Sequence, residues 1–66
     1  MQVALNGKPT ELPPGAKVHQ VLELLGYKQT HCAVWVNGRK LLQAEYATLE
    51  LVDGDEVRTV RLFSGG

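Results

Sequence analysis

Apolar side chains at Met1, Val3 and Leu5 alternate with Gln2, Ala4 and Asn6, a period of two that predicts a strand with one buried face. Asn6-Gly7 follows at once and predicts a tight hairpin, because the favoured two-residue loop needs positive φ at both positions. Lys8 to Leu12 then reads as a short return strand. Pro9 has no amide donor, which confines that strand to a sheet edge or to a strand start, and Pro13-Pro14-Gly15 ends it. Beyond this point the period changes. Val18, Val21, Leu22 and Leu25 fall at i, i+3, i+4 and i+7, predicting a helix over residues 17–25 with His19, Gln20 and Glu23 turned away. Gly26 sits where a left-handed C-terminal cap is needed. Lys17 offers no acceptor to the first free amides, so the helix is expected to fray at its start. Leu24 lies beside the stripe and is expected to be partly exposed.

Tyr27 to His31 is a polar connection, and Cys32 to Val36 is a β-rich run ending in a second hairpin signal, Asn37-Gly38. Arg39 to Leu42 returns as a short strand, Gln43 to Ala47 reads as a single helical turn, and Asp53-Gly54-Asp55 is a turn that launches a last strand, Glu56 to Leu62. Two hairpins flanking one helix, with a final strand returning to the middle, predict an α+β domain: a mixed sheet with one helix packed across one face. If Val34 and Val36 point at the helix, alternation sends Ala33 and Trp35 to the uncovered face, and likewise puts Val57 and Thr59 inside and Arg58, Val60 and Leu62 outside. Trp35, Val60 and Leu62 then form an apolar patch beside the root of the C-terminal residues. The competing reading turns Trp35 inward, as core for a chain that needs large side chains.

Composition narrows the function. Sixty-six residues make one small domain that buries only about 60 % of its unfolded surface, which leaves little room for a large active-site cavity. Seven basic and seven acidic residues give a formal net charge of zero, so no net field draws the chain to nucleic acid or to a membrane, and neither is expected as a partner. A single cysteine, Cys32, and the absence of a charged-then-apolar leader predict a soluble cytoplasmic protein. His19, His31 and Cys32 have no fourth ligand at suitable spacing, so no metal site is expected. Cys32 reads as a small core or edge residue rather than a nucleophile. Arg58 and Arg61 are either contacts for acidic groups on a partner or solvated strand charges. With no triad, metal cluster or phosphate-binding loop, the chain does not read as an enzyme.

The opening Met1-Gln2-Val3-Ala4-Leu5-Asn6-Gly7, the central Ala33-Val34-Trp35-Val36-Asn37-Gly38, the turn Asp53-Gly54-Asp55-Glu56-Val57 and the terminal Gly65-Gly66, in this order over the whole chain, resemble the ThiS-type sulfur carriers of the ubiquitin-like β-grasp superfamily. Two segments depart from the pattern common in such carriers: Arg39-Lys40-Leu41-Leu42 after the central Asn-Gly, and Leu62-Phe63-Ser64 before the diglycine. They bear on the pathway rather than on the fold.

The resemblance implies a β-grasp domain over residues 1–62 and a flexible tail over 63–66, with Ser64, Gly65 and Gly66 as the working end. It implies that the Gly66 carboxylate is adenylated at the expense of ATP and converted by a sulfur donor to a thiocarboxylate, with no cofactor resident on the carrier. The implied partners are a ThiF-type adenylating enzyme and a ThiG-type thiazole synthase of thiamin biosynthesis. Glycine suits such a tail, since a narrow channel has no room for a Cβ. Phe63 to Gly66 adds a reach of roughly 13 Å at ~3.3 Å per extended residue. The partner-binding candidates are Trp35, Arg58, Val60, Leu62 and Phe63. Three other readings stay open: a carrier for molybdopterin or another cofactor, resembling the MoaD type; a ubiquitin-like modifier of target lysines; and a β-grasp interaction module whose diglycine is incidental.

Overall fold

The structure is a computed structural model and describes residues 1–62. Five strands form one sheet: β1 (Gln2–Leu5), β2 (Lys8–Glu11), β3 (Cys32–Val36), β4 (Arg39–Lys40) and β5 (Glu56–Arg61), in the spatial order β2-β1-β5-β3-β4. A helix, α1 (Val18–Leu25), and two 3₁₀ turns, Gln29–His31 and Gln43–Tyr46, complete the architecture. The last strand does return to the centre. It runs parallel to β1 and antiparallel to β3, which makes the sheet mixed as the hairpin–helix–hairpin order predicts.

Both hairpins turn at the Asn-Gly pairs. Leu5 pairs with Lys8 and Val36 with Arg39, leaving two loop residues in each case. Asn6 and Asn37 both take φ 51°, followed by Gly7 at 84° and Gly38 at 83°, the double positive φ that lets a two-residue loop follow the twist of the strands. Pro9 lies on the edge strand β2, where its missing donor breaks no ladder.

The core lies between α1 and the inner face of the sheet. Val3, Val18, Val21, Leu22, Val34 and Val57 are all essentially inaccessible. Helix α1 ends as its sequence predicts. Gly26 adopts φ 75°, its N–H donates to the Glu23 carbonyl, and the Tyr27 N–H reaches back to the Leu22 carbonyl at 2.9 Å.

The helix start differs from expectation. Lys17 caps nothing with its side chain, but its own N–H donates to Gln20 Oε1 at 2.8 Å, the returning half of a capping box. Lys17 also forms a bridge with Glu50, and the Leu51 N–H donates to the Ala16 carbonyl at 2.8 Å. A strand-like contact 33 residues away along the chain, from Lys17 to Glu50, therefore holds the turn that local sequence leaves open.

Element ends are also trimmed. The strand expected over Arg39 to Leu42 is shorter: β4 covers Arg39–Lys40, the Leu41 N–H still donates to the Val34 carbonyl at 2.9 Å, and the Leu42 N–H is taken instead by Glu45 Oε1 at 2.8 Å. Arg39 forks onto the same carboxylate at 3.0 and 3.3 Å, and that pairing holds the Glu45 carboxyl below its usual range. The segment beyond closes the open end of the core with two residues that periodicity does not single out, Tyr46 and Leu51, exposed by 3 % and 2 %. Tyr46 donates its hydroxyl to the Cys32 carbonyl at 3.4 Å.

Two stability outcomes follow from this packing. Leu22→Ala is expected to cost about 3 kcal/mol, whereas Leu24→Ala, at a side chain 71 % exposed, is expected to change stability by no more than about 0.5 kcal/mol; urea unfolding of both variants checks the contrast. Asn37→Asp replaces an amide that donates to Asp55 Oδ1 at 2.9 Å with a carboxylate facing a carboxylate. A loss of about 1–3 kcal/mol is expected in the same assay, and a neutral result would mean that this bond does not hold the turn.

Candidate functional site

Position along β3 and β5 decides what the two faces of the sheet carry. Val34 and Val36 belong to the core beneath α1, so Trp35 points to the other face; it is half-buried and takes no part in the core cluster. The inward reading of Trp35 is thereby set aside. Across the ladder Trp35 pairs with Arg58 of β5, and on its other side with Lys40 of β4. Val60 is on the same face opposite Ala33, and Leu62 follows, with exposures of 42 % and 52 %. Trp35, Arg58, Val60 and Leu62 thus share one face, with the two aliphatic residues nearest the end of β5.

Ala33 stands on the open face as alternation predicts, yet little of it is accessible: it is 6 % exposed and outside the core cluster. A methyl group lies low in the pleat, flanked by Val60 across the ladder and by Trp35 two residues on. Arg61, by the same alternation, falls on the helix side, with its guanidinium 5.7 Å from the centre of the Tyr27 ring. The two arginines of β5 therefore serve opposite faces.

The root of the tail is fixed from β3. The Leu62 N–H donates to the His31 carbonyl at 2.8 Å, extending the β3–β5 ladder one step past the strand. Phe63, Ser64, Gly65 and Gly66, the remaining candidates, lie outside the described residues.

At the other end of Trp35 the two hairpin tips approach β5 and leave a hollow of about 300 Å³. Trp35 and Arg58 wall it, Ala4 lies beneath, and Gly7 and Gly38 border it. Both glycines take positive φ, and a Cβ on either would meet nothing within 4 Å. Lys40 is the residue that sequence reasoning passed over. The signal was present, since a two-residue loop at Asn37-Gly38 fixes Lys40 opposite Trp35.

Cys32 behaves as a packing residue. It is 7 % exposed, its Sγ lies 3.9 Å from the Gln29 carbonyl, and burial pushes the thiol above its usual range, away from the reactive thiolate. His19 lies 3.9 Å from Glu23 on α1, and His31 neighbours Thr30 in the 3₁₀ turn, so the two histidines serve separate surroundings. Among the described residues no helix is long and apolar enough to cross a membrane.

The cations around Trp35 give a direct optical test. Iodide is expected to quench native Trp35 fluorescence more effectively than caesium at low ionic strength, and Lys40→Glu with Arg58→Glu is expected to reverse that order. Emission that neither ion reaches until the chain unfolds would return Trp35 to the core.

The model of the ThiS family matches residues 3–66. The chain is 27 % identical over 66 residues to the sulfur carrier protein ThiS of Escherichia coli K12, covering all of both chains. It superposes on a crystal structure of the thiamine biosynthesis protein ThiS from Geobacter metallireducens with TM-score 0.77 and 30 % identity over the whole of both chains. A solution structure of a thiamine biosynthesis protein from the same organism gives 0.76 and 28 %, covering all of this chain and 88 % of that one. The strand order with β5 at the centre, the single helix and the match from residue 3 to residue 66 agree, and the chain belongs to the ThiS family.

Proposed function

We propose that the chain is a sulfur carrier for thiamin biosynthesis, a protein co-substrate rather than an enzyme, acting in the cytoplasm. The observation that carries this reading is the alignment with a curated sulfur carrier over all 66 residues of both chains. The terminal Gly65-Gly66 supplies the chemistry.

A carboxylate is a poor acyl donor because its leaving group would be oxide. In the proposed cycle a Gly66 carboxylate oxygen attacks the α-phosphorus of ATP in the active site of a ThiF-type adenylating enzyme. Pyrophosphate leaves and an acyl adenylate forms. Hydrosulfide then adds to the acyl carbon, AMP departs with the former carboxylate oxygen, and a C-terminal thiocarboxylate remains. Its sulfur, a nucleophile held on a protein leash, is delivered to a ThiG-type thiazole synthase. ATP and the sulfur donor are used by the partner, and the carrier binds neither as a cofactor.

What the domain itself contributes is presentation. The His31 carbonyl holds the Leu62 amide, which fixes the point from which four further residues give a reach of at most about 13 Å. Phe63 and the open-face residues Trp35, Arg58, Val60 and Leu62 are proposed to contact the partner while the tail occupies its active site. A Trp side chain offers about 150–250 Å² of surface, and the part of Trp35 that is accessible, with Val60 and Leu62, is available for burial against another protein.

Intact-mass measurement tests the chemistry. After incubation with a ThiF-type enzyme, ATP and sulfide, the chain is expected to gain the mass of one oxygen-for-sulfur exchange, and the gain is expected to vanish when Gly66 is deleted or when a residue is added after it. No gain with an enzyme shown to be active on its own carrier would reject thiamin-type activation. Conjugates of higher mass on cellular lysines would instead identify a protein modifier.

A further inference from the structure

The sheet has two free margins. Strands β2 and β4 lie at its ends, and an exposed edge is a template on which a second chain can pair. The formal net charge of zero gives copies of this chain no long-range repulsion, so any refusal to pair has to be built into the edges themselves. Along an antiparallel strand the backbone groups of successive residues point alternately to its two sides. That parity fixes what each edge offers.

On β2 the groups of Lys8, Thr10 and Leu12 point inward. Lys8 closes the two-residue turn against Leu5, and the Leu12 N–H donates to the Met1 carbonyl at 2.8 Å. The β1 side agrees, since the Ala4 and Asn6 N–H groups go to the Asp55 and Val57 carbonyls and leave Val3 and Leu5 to face β2. The outward positions are therefore Pro9, Glu11 and, one step past the ladder, Pro13, and all are exposed. Neither proline has an amide hydrogen. The Pro13 carbonyl is also taken, by the Ala16 N–H at 3.2 Å. Glu11 alone brings an amide to this margin.

The other edge is closed by different chemistry. The Leu41 N–H donates to the Val34 carbonyl at 2.9 Å, so Arg39 and Leu41 face β3 while Lys40 and Leu42 face outward. Glu45 occupies both backbone groups of Leu42. Its carboxylate accepts the Leu42 N–H at 2.8 Å, and its own N–H donates to the Leu42 carbonyl at 2.9 Å. Arg39 forks onto the same carboxylate and holds it there. Lys40 is the one outward position that β4 keeps.

We propose that these features are edge locks, and that Pro9 and Pro13 on β2 and Glu45 on β4 keep a second copy of this chain from adding its own edge strand to the sheet. A two-fold β2–β2 ladder sets residue 9 of one copy opposite residue 11 of the other, where each pair exchanges two bonds if both residues carry an amide. Proline at position 9 removes half of those bonds and leaves carbonyls of Glu11 facing a ring instead of a donor, a costly arrangement once water is excluded. A ladder on β4 has to strip Leu42 from Glu45 first, breaking as many bonds as it makes. The locks act on backbone groups at the margins and are independent of what the C-terminal residues do.

The rival route to self-association is apolar. Leu24 is 71 % exposed on α1, and two copies meeting there would need no strand edge.

Substitution at Pro9 or Pro13 adds an outward amide without removing an inward bond, so the β2 lock can be opened alone. Sedimentation velocity and amide hydrogen exchange of the full-length chain, from about 10 µM to about 1 mM, read the result. The wild type is expected to stay monomeric over that range. Pro9→Val with Pro13→Thr is expected to dimerise, slowing exchange of the Glu11 amide at least about ten-fold at the high concentration. Glu45→Ala is expected to associate with the Lys40 amide slowed, whereas Glu45→Gln, which keeps an oxygen facing the Leu42 N–H, is expected to remain monomeric. Thermal unfolding at the low concentration verifies that each chain is folded, and Pro9→Val alone carries the same readout if the double variant is not. A folded, opened edge that stays monomeric with its amide unprotected overturns the lock assigned to it. Wild-type association with Glu11 or Lys40 protected, or association of the opened chains that Leu24→Ser abolishes, overturns the proposal as a whole.

Discussion

The structure depends on holding β5 between two hairpins that are far from it in sequence. The β1–β2 hairpin and the β3–β4 hairpin each present the asparagine of their turn to this strand. Asn6 Oδ1 accepts the Thr59 N–H at 2.8 Å while its amide donates to Thr59 Oγ1, and Asn37 Oδ1 accepts the Glu56 N–H at 2.9 Å while its amide donates to Asp55 Oδ1. Asp55 is 9 % exposed, and its other carboxylate oxygen accepts the Val52 N–H. A central strand placed last in the chain has to close long loops before it gains any contact. The clasps offset part of that cost with bonds that exist only in the assembled register.

The same asparagines serve three needs at once. They tolerate the positive φ of the first turn position, which a β-branched residue would not. They satisfy backbone donors on β5, and they set the register that places Arg58 and Lys40 on either side of Trp35. The glycines beside them supply the second positive φ of each turn and border the hollow. Fold and candidate docking surface are in this way built from one set of turn residues, so a substitution at Asn6 or Asn37 is expected to disturb both.

A carrier presents chemistry performed elsewhere, and the physical demands on it are those of a handle. The described domain meets them by division of labour. One sheet face is closed under α1, with Arg61 laid over Tyr27 on that side. The opposite face keeps Trp35, Val60 and Leu62 accessible near the strand end from which the tail departs. The thiol of Cys32, the one residue of the domain able to compete in sulfur chemistry, is buried and held protonated. On the proposed reading, this leaves the terminal carboxylate as the reactive group.

Local pattern by itself determined the elements whose causes are local: the two hairpins at Asn-Gly and the helix from its 3.6-residue stripe with Gly26 as its cap. Alternation put Arg58, Val60 and Leu62 on one side, while the choice between the two faces for Trp35 was made by the fold. The family resemblance was also legible, because it rests on motif order along the whole chain. Tertiary structure decided what depends on distant neighbours. Lys17 starts a helix without a side-chain cap because Glu50 and Leu51 hold the preceding turn. Tyr46 and Leu51 become core because the irregular segment around them folds across the end of the sheet, and aperiodic apolar residues announce no face. Alternation separates Arg61 from Arg58, but that Arg61 finds the Tyr27 ring depends on how the connection after α1 folds back onto the sheet. Propensity and periodicity are short-range and can be read from a few residues, whereas burial and electrostatic company are properties of the assembled sheet.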